Sequence, residues 1–385
     1  MITKDIVEKF VKGKKPSPLV CYPTEIEIKG HCIIYGYFHE ESNCYNITSL
    51  EHPSVGQGGA VPVSLGKYLG EIEERPSASN YNDCMIIGYR YSNNIEFIDV
   101  SNNIICNVEP YQLKMDIFSR NTGILESNVM MNKGALIIGC GSVGSLVALE
   151  LARAGVGHFF LIDSDILKYH NICRHQCGIQ DVGKYKVLAV KERILQINPY
   201  AIVRTSRHII QEIPLQEFDS FCNPDCIIVG CADNREGDLY ADEMIAKRYN
   251  MPFLSIGCWE RAFAGEIFYC LPSGMPSYKD FVAALGNSSG RTQANTHLYM
   301  GEVGSFEPGI SVDIDFVTIV GVKILLDLFN RNNNDYTQRL INHLSQYTLI
   351  CNTNNPKIGG EMAEIFSYPL QVTTSIEVEY ADEKV

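Results

Sequence analysis

Residues 134–144 read GALIIGCGSVG, a short apolar run leading directly into glycines at 139, 141 and 144. The run predicts a buried strand over 134–139, and the residues that follow repeat their apolar positions with helical period over 142–154. Gly139 then falls where strand must turn into helix, Gly141 where a phosphate can approach the backbone, and Gly144 where helix and strand pack closely. The first turn of such a helix carries unpaired N–H groups and the positive end of its dipole, so the loop suits an anion. Working outward, strands are predicted at 158–163, 201–206, 225–230 and 252–256, and helices at 183–197 and 236–249. The alternation predicts an α/β fold: a Rossmann-like, doubly wound, mostly parallel sheet.

Further along, AGEIFYCL at 264–271 reads as another strand, 278–308 as a polar loop, 311–330 as a helix, and the tail from 346 as two strands at most. On the N-terminal side, TEIEIKGHCIIYGYF at 24–38 alternates with period two, the pattern of a half-buried strand. Residues 84–108 read as a three-strand meander with two SNN turns, and HPSVGQGGAVPVSLG at 52–66 as a long loop. A small β-rich domain of unassigned role is therefore expected over 1–110, ahead of the α/β domain over 111–385.

The chain has 385 residues, enough for two domains, and its 45% hydrophobic and 20% charged content is ordinary for a globular protein. A net charge of -13 argues against nonspecific nucleic-acid binding, which needs surplus Lys and Arg. The 14 cysteines are scattered from Cys21 to Cys351 without any C-x-x-C, and MITKDIVEKFVKGKK at the start lacks the form of a secretory leader. Reduced thiols and a cytoplasmic location are expected. The most apolar segment, FVTIVGVKILLDLF at 316–329, is too short to span a bilayer, so neither a membrane nor a nucleic acid is an expected partner.

Asp163 ends the second predicted strand in FFLIDSD, nineteen residues past Gly144, where a carboxylate can accept hydrogen bonds from ribose hydroxyls. A nicotinamide dehydrogenase fits equally well to this point. The next stretch, NICRHQCGIQDVGKYKV at 171–187, adds Asn171, Arg174 and Lys186 within a short distance of that carboxylate. Two cations and an amide beside a ribose suit a triphosphate undergoing attack. His170 and His175 flank Arg174 without an evident base or ligand partner and read as packing or polar contacts, and Asp165 as a turn residue.

The segment LIIGCGSVGSLVALELARAGVGHFFLIDSDILKYHNICRHQCGIQDVGKYKVLAVKERILQINP at 136–199 resembles the ThiF, MoeB and HesA adenylyltransferases, the superfamily that includes ubiquitin-activating enzymes. The resemblance covers about 112–375. It rests on ordered motifs: the glycine loop, AGVG, D-x-D, N-x-x-R, V-G-x-x-K and I-N-P. It implies an enzyme that uses ATP and Mg2+ to convert the C-terminal carboxylate of a ubiquitin-like or sulfur-carrier protein into an acyl-adenylate, a step that a bacterial ubiquitin-like conjugation pathway would use. By resemblance Asp163 holds the ribose, and Asn171, Arg174 and Lys186 contact the phosphates. Asp233, in IIVGCADNREG, is implied as the Mg2+ ligand, with Asn234 beside it in the nucleotide site. Arg120, in FSRNTG, is implied as an arginine finger reaching a neighbouring subunit's phosphates, hence a homodimer.

Two departures accompany the resemblance. Relatives with a structural zinc carry paired C-x-x-C motifs; here Ser277 and Asp280 stand in the first place and QVTTSIEVEY at 371–380 lacks the second, so no zinc is expected. The crossover loop at about 272–310, where relatives often carry a thioester-forming cysteine, contains none. Either the enzyme stops at the adenylate or another thiol such as Cys258 serves. Adenylation of a peptide or tRNA carboxylate without a thioester, and a non-catalytic nucleotide-binding scaffold, stay open as alternatives.

Overall fold

A computed structural model describes residues 17–49, 62–112, 116–232, 234–285, 308–371 and 374–380. The chain divides into two compact units, Met1–Ile117 and Phe118–Val385.

The first unit is built on eight strands: β1 (Leu19–Pro23), β2 (Cys32–His39), β3 (Cys44–Ser49), β4 (Val63–Glu71), β5 (Ile86–Tyr91), β6 (Asn94–Asp99), β7 (Ile104–Ile105) and β8 (Asn107–Tyr111). They form one mixed sheet in the order β7-β6-β5-β4-β2-β3-β1-β8. Val20, Ile34, Ile47, Leu65, Ile86 and Phe97 form a dry core on it, and the buried Tyr45 hydroxyl donates to Asp99 at 2.6 Å. The meander predicted at 84–108 is present as antiparallel β5, β6 and β7. Two expectations are corrected. Residues 24–38 are not one strand: Ile26–Lys29 make a single helical turn ended by Gly30, whose φ of 53° is left-handed, and only then does β2 begin. Over four residues, period two does not separate strand from turn. The loop read over 52–66 gives way to β4 at Val63, which pairs with β2 and β5; residues 52–61 lie outside the described residues.

The second unit carries β9 (Gly134–Ile138), α1 (Ser142–Arg153), β10 (His158–Ile162), α2 (Lys186–Ile197), β11 (Ile202–Ser206), β12 (Cys226–Gly230), α3 (Arg235–Tyr240), β13 (Phe253–Cys258), β14 (Ala264–Cys270), α4 (Tyr278–Leu285), α5 (Ser311–Phe329), β15 (Tyr347–Cys351) and β16 (Thr374–Ile376). Its sheet runs β11-β10-β9-β12-β13-β14-β15-β16; the first five strands are parallel and the last three join antiparallel. Strand β9 is buried along its whole length, as a central parallel strand covered on both faces must be. Ala135 and Ile137 face the layer of α1, α2 and α5, whereas Leu136 and Ile138 face the layer containing Ile245, Tyr278 and Phe281. The α/β fold is thus a doubly wound sheet with an antiparallel extension.

The chain steps off β9 to β10 and β11 on one side, and to β12 and β13 on the other. The crevice outside the C-terminal ends of β9 and β12 is this topology's switch point. One expectation in this unit is corrected. Residues 278–285 are helix α4, not loop, because Tyr278 and Phe281 at i and i+3 bury one face, while Ser277 and Asp280 bond reciprocally at its start: Ser277 N–H and Oγ to Asp280 Oδ2, both 2.7 Å, and Asp280 N–H to Ser277 Oγ, 3.3 Å. The helix read over 236–249 starts as α3 and continues through a π-helical turn, Ala241–Ala246. Among the described residues no helix is long and apolar enough to cross a membrane.

Candidate active site

Each glycine of the loop does a different job. Gly139 leaves β9 with φ of 90°, and a Cβ on it would meet the Ala232 backbone at 2.7 Å, so only glycine lets β9 turn against the residue that follows β12. Gly144 is jammed against the loop: its Cβ would lie 1.8 Å from the Gly139 carbonyl oxygen. Gly141, the N-cap of α1, has nothing within 4 Å of where a Cβ would stand. The backbone before α1 is therefore packed from behind and open in front, above the helix's unpaired N–H groups.

Asp163, just past β10, holds this backbone. Its Oδ2 accepts the Cys140 N–H at 2.7 Å and its Oδ1 the Asp165 N–H at 2.7 Å. A carboxylate offers about four lone-pair directions, so acceptor capacity is left for hydroxyl groups. Lys186, 9% exposed at the start of α2, pairs its Nζ with Asp165 Oδ2 at 2.7 Å, and its backbone N–H also bonds the Asp165 carbonyl. The nearby Lys184 is occupied elsewhere, between Asp181 and Glu192 at 3.0 and 2.7 Å. Two lysines two residues apart are thus separated, Lys184 tied to Asp181 and Glu192 and Lys186 to Asp165. Arg207 adds a further cation, its guanidinium 4.5 Å from the Tyr185 ring centre.

Asn171 ends the 3-10 turn Tyr169–Asn171, its Oδ1 accepting the Lys168 N–H at 2.9 Å, and its carbonyl accepts the N–H groups of Arg174 and His175. The turn presents the half-buried Arg174, whose Nη1 lies 3.5 Å from the position of a Cβ on Gly309, just before α5. His175 is buried, with Nε2 2.8 Å from the Cys140 carbonyl oxygen and Nδ1 accepting the Cys177 N–H at 3.0 Å. Burial foremost, then the Lys186 charge, pushes its pKa below the usual imidazole value.

The remaining candidates fall as follows. Asn234 is the N-cap of α3, its Oδ1 accepting from Glu236 and Gly237 N–H at 3.1 Å each; α3 is anchored to the sheet by the buried Asp238, which accepts from Ser255 Oγ at 2.7 Å. Asp233 lies outside the described residues, between Ala232 against Gly139 and Asn234. Arg120 is exposed in the turn whose Asn121 amide donates to the Arg153 carbonyl at 2.9 Å, the far end of α1. Twelve helical residues, about 18 Å at 1.5 Å each, lie between that end and the glycine loop, so Arg120 does not reach the loop of its own chain. Cys258 is half-buried at the end of β13. Cys140 is fully enclosed, and burial with the Asp163 charge pushes its pKa well up, so it is an inert thiol. Cys173 beside Arg174 is the exposed cysteine among those described. Most of the crossover loop, 286–307, lies outside the described residues.

The sequence reading of His175 as a packing or polar contact agrees with its buried hydrogen bonds, whereas Asp165, read as a turn residue, is also the partner of Lys186. The signal for Asp165 was the second acid of D-x-D; for His175 it was only adjacency to Arg174. No group of three or more His, Cys, Asp or Glu side chains among the described residues is arranged to hold a metal ion.

The ThiF family model matches residues 116–350, more than half of the chain. Among curated proteins, the chain is 28% identical over 174 residues to ubiquitin-like modifier-activating enzyme 5 of Caenorhabditis elegans, covering 42% of this chain and 40% of that protein. It is 33% identical over 102 residues to the probable adenylyltransferase/sulfurtransferase MoeZ of Mycobacterium tuberculosis, covering 26% of each. The match thus spans less than half the length of these relatives. Among solved structures, the chain is similar to E. coli MccB with MccA-N7isoASN, at 19% identity and a TM-score of 0.46 over 58% of this chain and 63% of that one.

Proposed function

The chain belongs to the ThiF family, and from that premise we propose that it is an ATP-dependent adenylyltransferase acting on the C-terminal carboxylate of a ubiquitin-like or sulfur-carrier protein. A carboxylate oxygen attacks the α-phosphorus of ATP, the bond from that phosphorus to the bridging oxygen breaks, and pyrophosphate leaves with the electron pair. The products are an acyl-adenylate and pyrophosphate.

The observation that carries this reading is the packed-behind, open-in-front glycine loop, held by Asp163, with Lys186 paired to Asp165 two residues on and Arg174 next to His175, which bonds the loop's Cys140 carbonyl. In this role the N–H groups before α1 receive phosphate oxygens and Asp163 receives the ribose hydroxyls. Lys186 exchanges Asp165 for a phosphate and acts as a point charge, while Arg174 forks across two oxygens. Asn171 and Asn234 use their amide donors, since their oxygens are already engaged as caps. Such preset charges stabilise what accumulates as pyrophosphate departs. Asp233 would hold Mg2+, whose usual donor set of one or two carboxylates with phosphates and water needs no larger protein cluster. When bound, the ion neutralises phosphate charge. Arg120, too far from its own loop, would act on a second copy's phosphates, so the active form is a homodimer in the cytoplasm. With no cysteine between 272 and 310, the adenylate passes directly to an incoming nucleophile.

Pyrophosphate exchange into ATP tests the reading. Exchange that requires Mg2+ and a carrier with a free C-terminus, and that falls at least about 100-fold in Lys186→Met or Asp233→Ala, supports it. Absence of exchange with every carrier tried, or full activity in Asp233→Ala, overturns it.

A further inference from the structure

Resting on the ATP reading above, we propose that His175 is a positioning residue for the nucleotide loop: it fixes the plane of the Cys140–Gly141 peptide and so aims the Gly141 N–H outward. The Cys177 N–H donates to Nδ1, so in the neutral ring the proton sits on Nε2, which then donates to the Cys140 carbonyl at 2.8 Å. The Cys140 N–H is held on its other side by Asp163 Oδ2 at 2.7 Å. Both polar groups of one residue between two glycines are therefore clamped.

In a trans peptide the carbonyl and the following N–H point in opposite directions, and the described chain has no cis peptide. With the Cys140 carbonyl drawn back to His175, the Gly141 N–H faces away from it, on the residue whose Cα side is open for 4 Å. Gly141 on one side of this peptide, and Gly139 before Cys140, leave the segment few steric restraints of its own, so a side chain has to supply them. The segment bearing His175 is also stitched to the first turn of α1, where the Gln176 N–H donates to Ser145 Oγ at 3.3 Å. His175 directly follows Arg174, so one short segment places both the guanidinium and the loop's N–H. The ring's burial, 7% exposed, lowers its pKa and so favours the neutral form, in which Nδ1 can accept the Cys177 N–H.

Four forms of the full-length protein separate this role from a packing role: wild type, His175→Phe, His175→Gln and His175→Asn. Glutamine offers a donor near the Nε2 position and asparagine offers groups only near Nδ1. Exchange kinetics and calorimetric titration with ATP and Mg2+ should show KM for ATP raised about 10-fold in His175→Phe and in His175→Asn, with kcat at saturating ATP within about 2-fold, and restored to within about 3-fold in His175→Gln. Equal KM values in wild type and His175→Phe, recovery in Asn but not Gln, or a loss confined to kcat overturns the proposal. If His175→Phe does not fold, the Gln and Asn pair alone decides between the two roles. If wild type itself binds no ATP, the underlying nucleotide reading fails instead, an outcome distinct from any of these.

Discussion

Two substitutions of the same size, Gly141→Ala and Gly144→Ala, three residues apart in one loop, should fail in different ways. A methyl on Gly144 would sit 1.8 Å from the Gly139 carbonyl oxygen, against an ordinary carbon–oxygen approach of about 3.3 Å, so helix and strand must separate. Overpacking of this kind costs about 1–3 kcal/mol, roughly 2–12 °C in Tm for a domain of this size. A methyl on Gly141 meets nothing within 4 Å, and its φ of -77° is open to any residue. That change costs at most about 1 kcal/mol, as a weakened helix cap. The same methyl projects into the space proposed for the phosphates. Thermal denaturation with and without ATP and Mg2+ separates the cases. Ligand at 100 times its Kd stabilises by about 2.7 kcal/mol, so ATP should raise the Tm of wild type by roughly 5–11 °C and leave Gly141→Ala unmoved. A wild-type ATP shift in Gly141→Ala, or a loss of Tm equal to that of Gly144→Ala, would refute the reasoning.

The paired lysines should also divide. Lys184→Ala strips the cation from the buried Asp181 and lowers stability by about 2 kcal/mol with little change in KM for ATP, while Lys186→Ala does the reverse; denaturant unfolding and exchange kinetics on the two variants check this. Ser277→Ala removes the cap of α4 and should cost about 1 kcal/mol, and a chelator should leave the wild-type Tm unchanged, since hydrogen bonds at Ser277 and Asp280 stand where zinc-binding relatives are expected to have thiolates. A chelator-induced drop in Tm would contradict it. The pKa of His175 is lowered in the folded state, so the unfolded chain binds the extra proton first and stability contributed by the neutral ring is lost as pH falls below about 6.5. Lys186, Asp163 and Asp181 are the charged groups that face the ring. Tm measured between pH 7 and 5 should fall less in His175→Gln than in wild type; parallel curves would contradict the prediction.

The β9–loop–α1 unit was readable because its determinants are local: an apolar run, three glycines of which two are sterically required, and a helical period, all within twenty residues. The rest of the doubly wound sheet followed from alternation. Where reading failed, short-range pattern was ambiguous or the deciding contact was distant in sequence. The turn Ile26–Lys29 is too short for period to identify, and β4 is a strand because of pairing with β2 and β5 across a long gap. Helix α4 depends on two aromatic anchors that meet Phe253 and Phe268 on the neighbouring strands β13 and β14, contacts a local pattern does not show. In the candidate site, Asp163, Arg174 and Lys186 were picked out as residue types at a spacing. That Lys186 rests on Asp165, that Arg120 stands a helix length from its own loop, and that His175 holds the Cys140 carbonyl are contacts across 21 to 35 residues, or along a whole helix, which spacing alone does not encode.

In the proposed reaction a carboxylate attacks the α-phosphorus of ATP at the loop before α1. A small carrier protein whose C-terminal carboxylate is labelled with oxygen-18, turned over with ATP and an amine or thiol acceptor, reports that attack directly. Pyrophosphate is the expected released product, with one labelled oxygen in the AMP that follows. AMP without label, or ADP and phosphate in place of AMP and pyrophosphate, would contradict it.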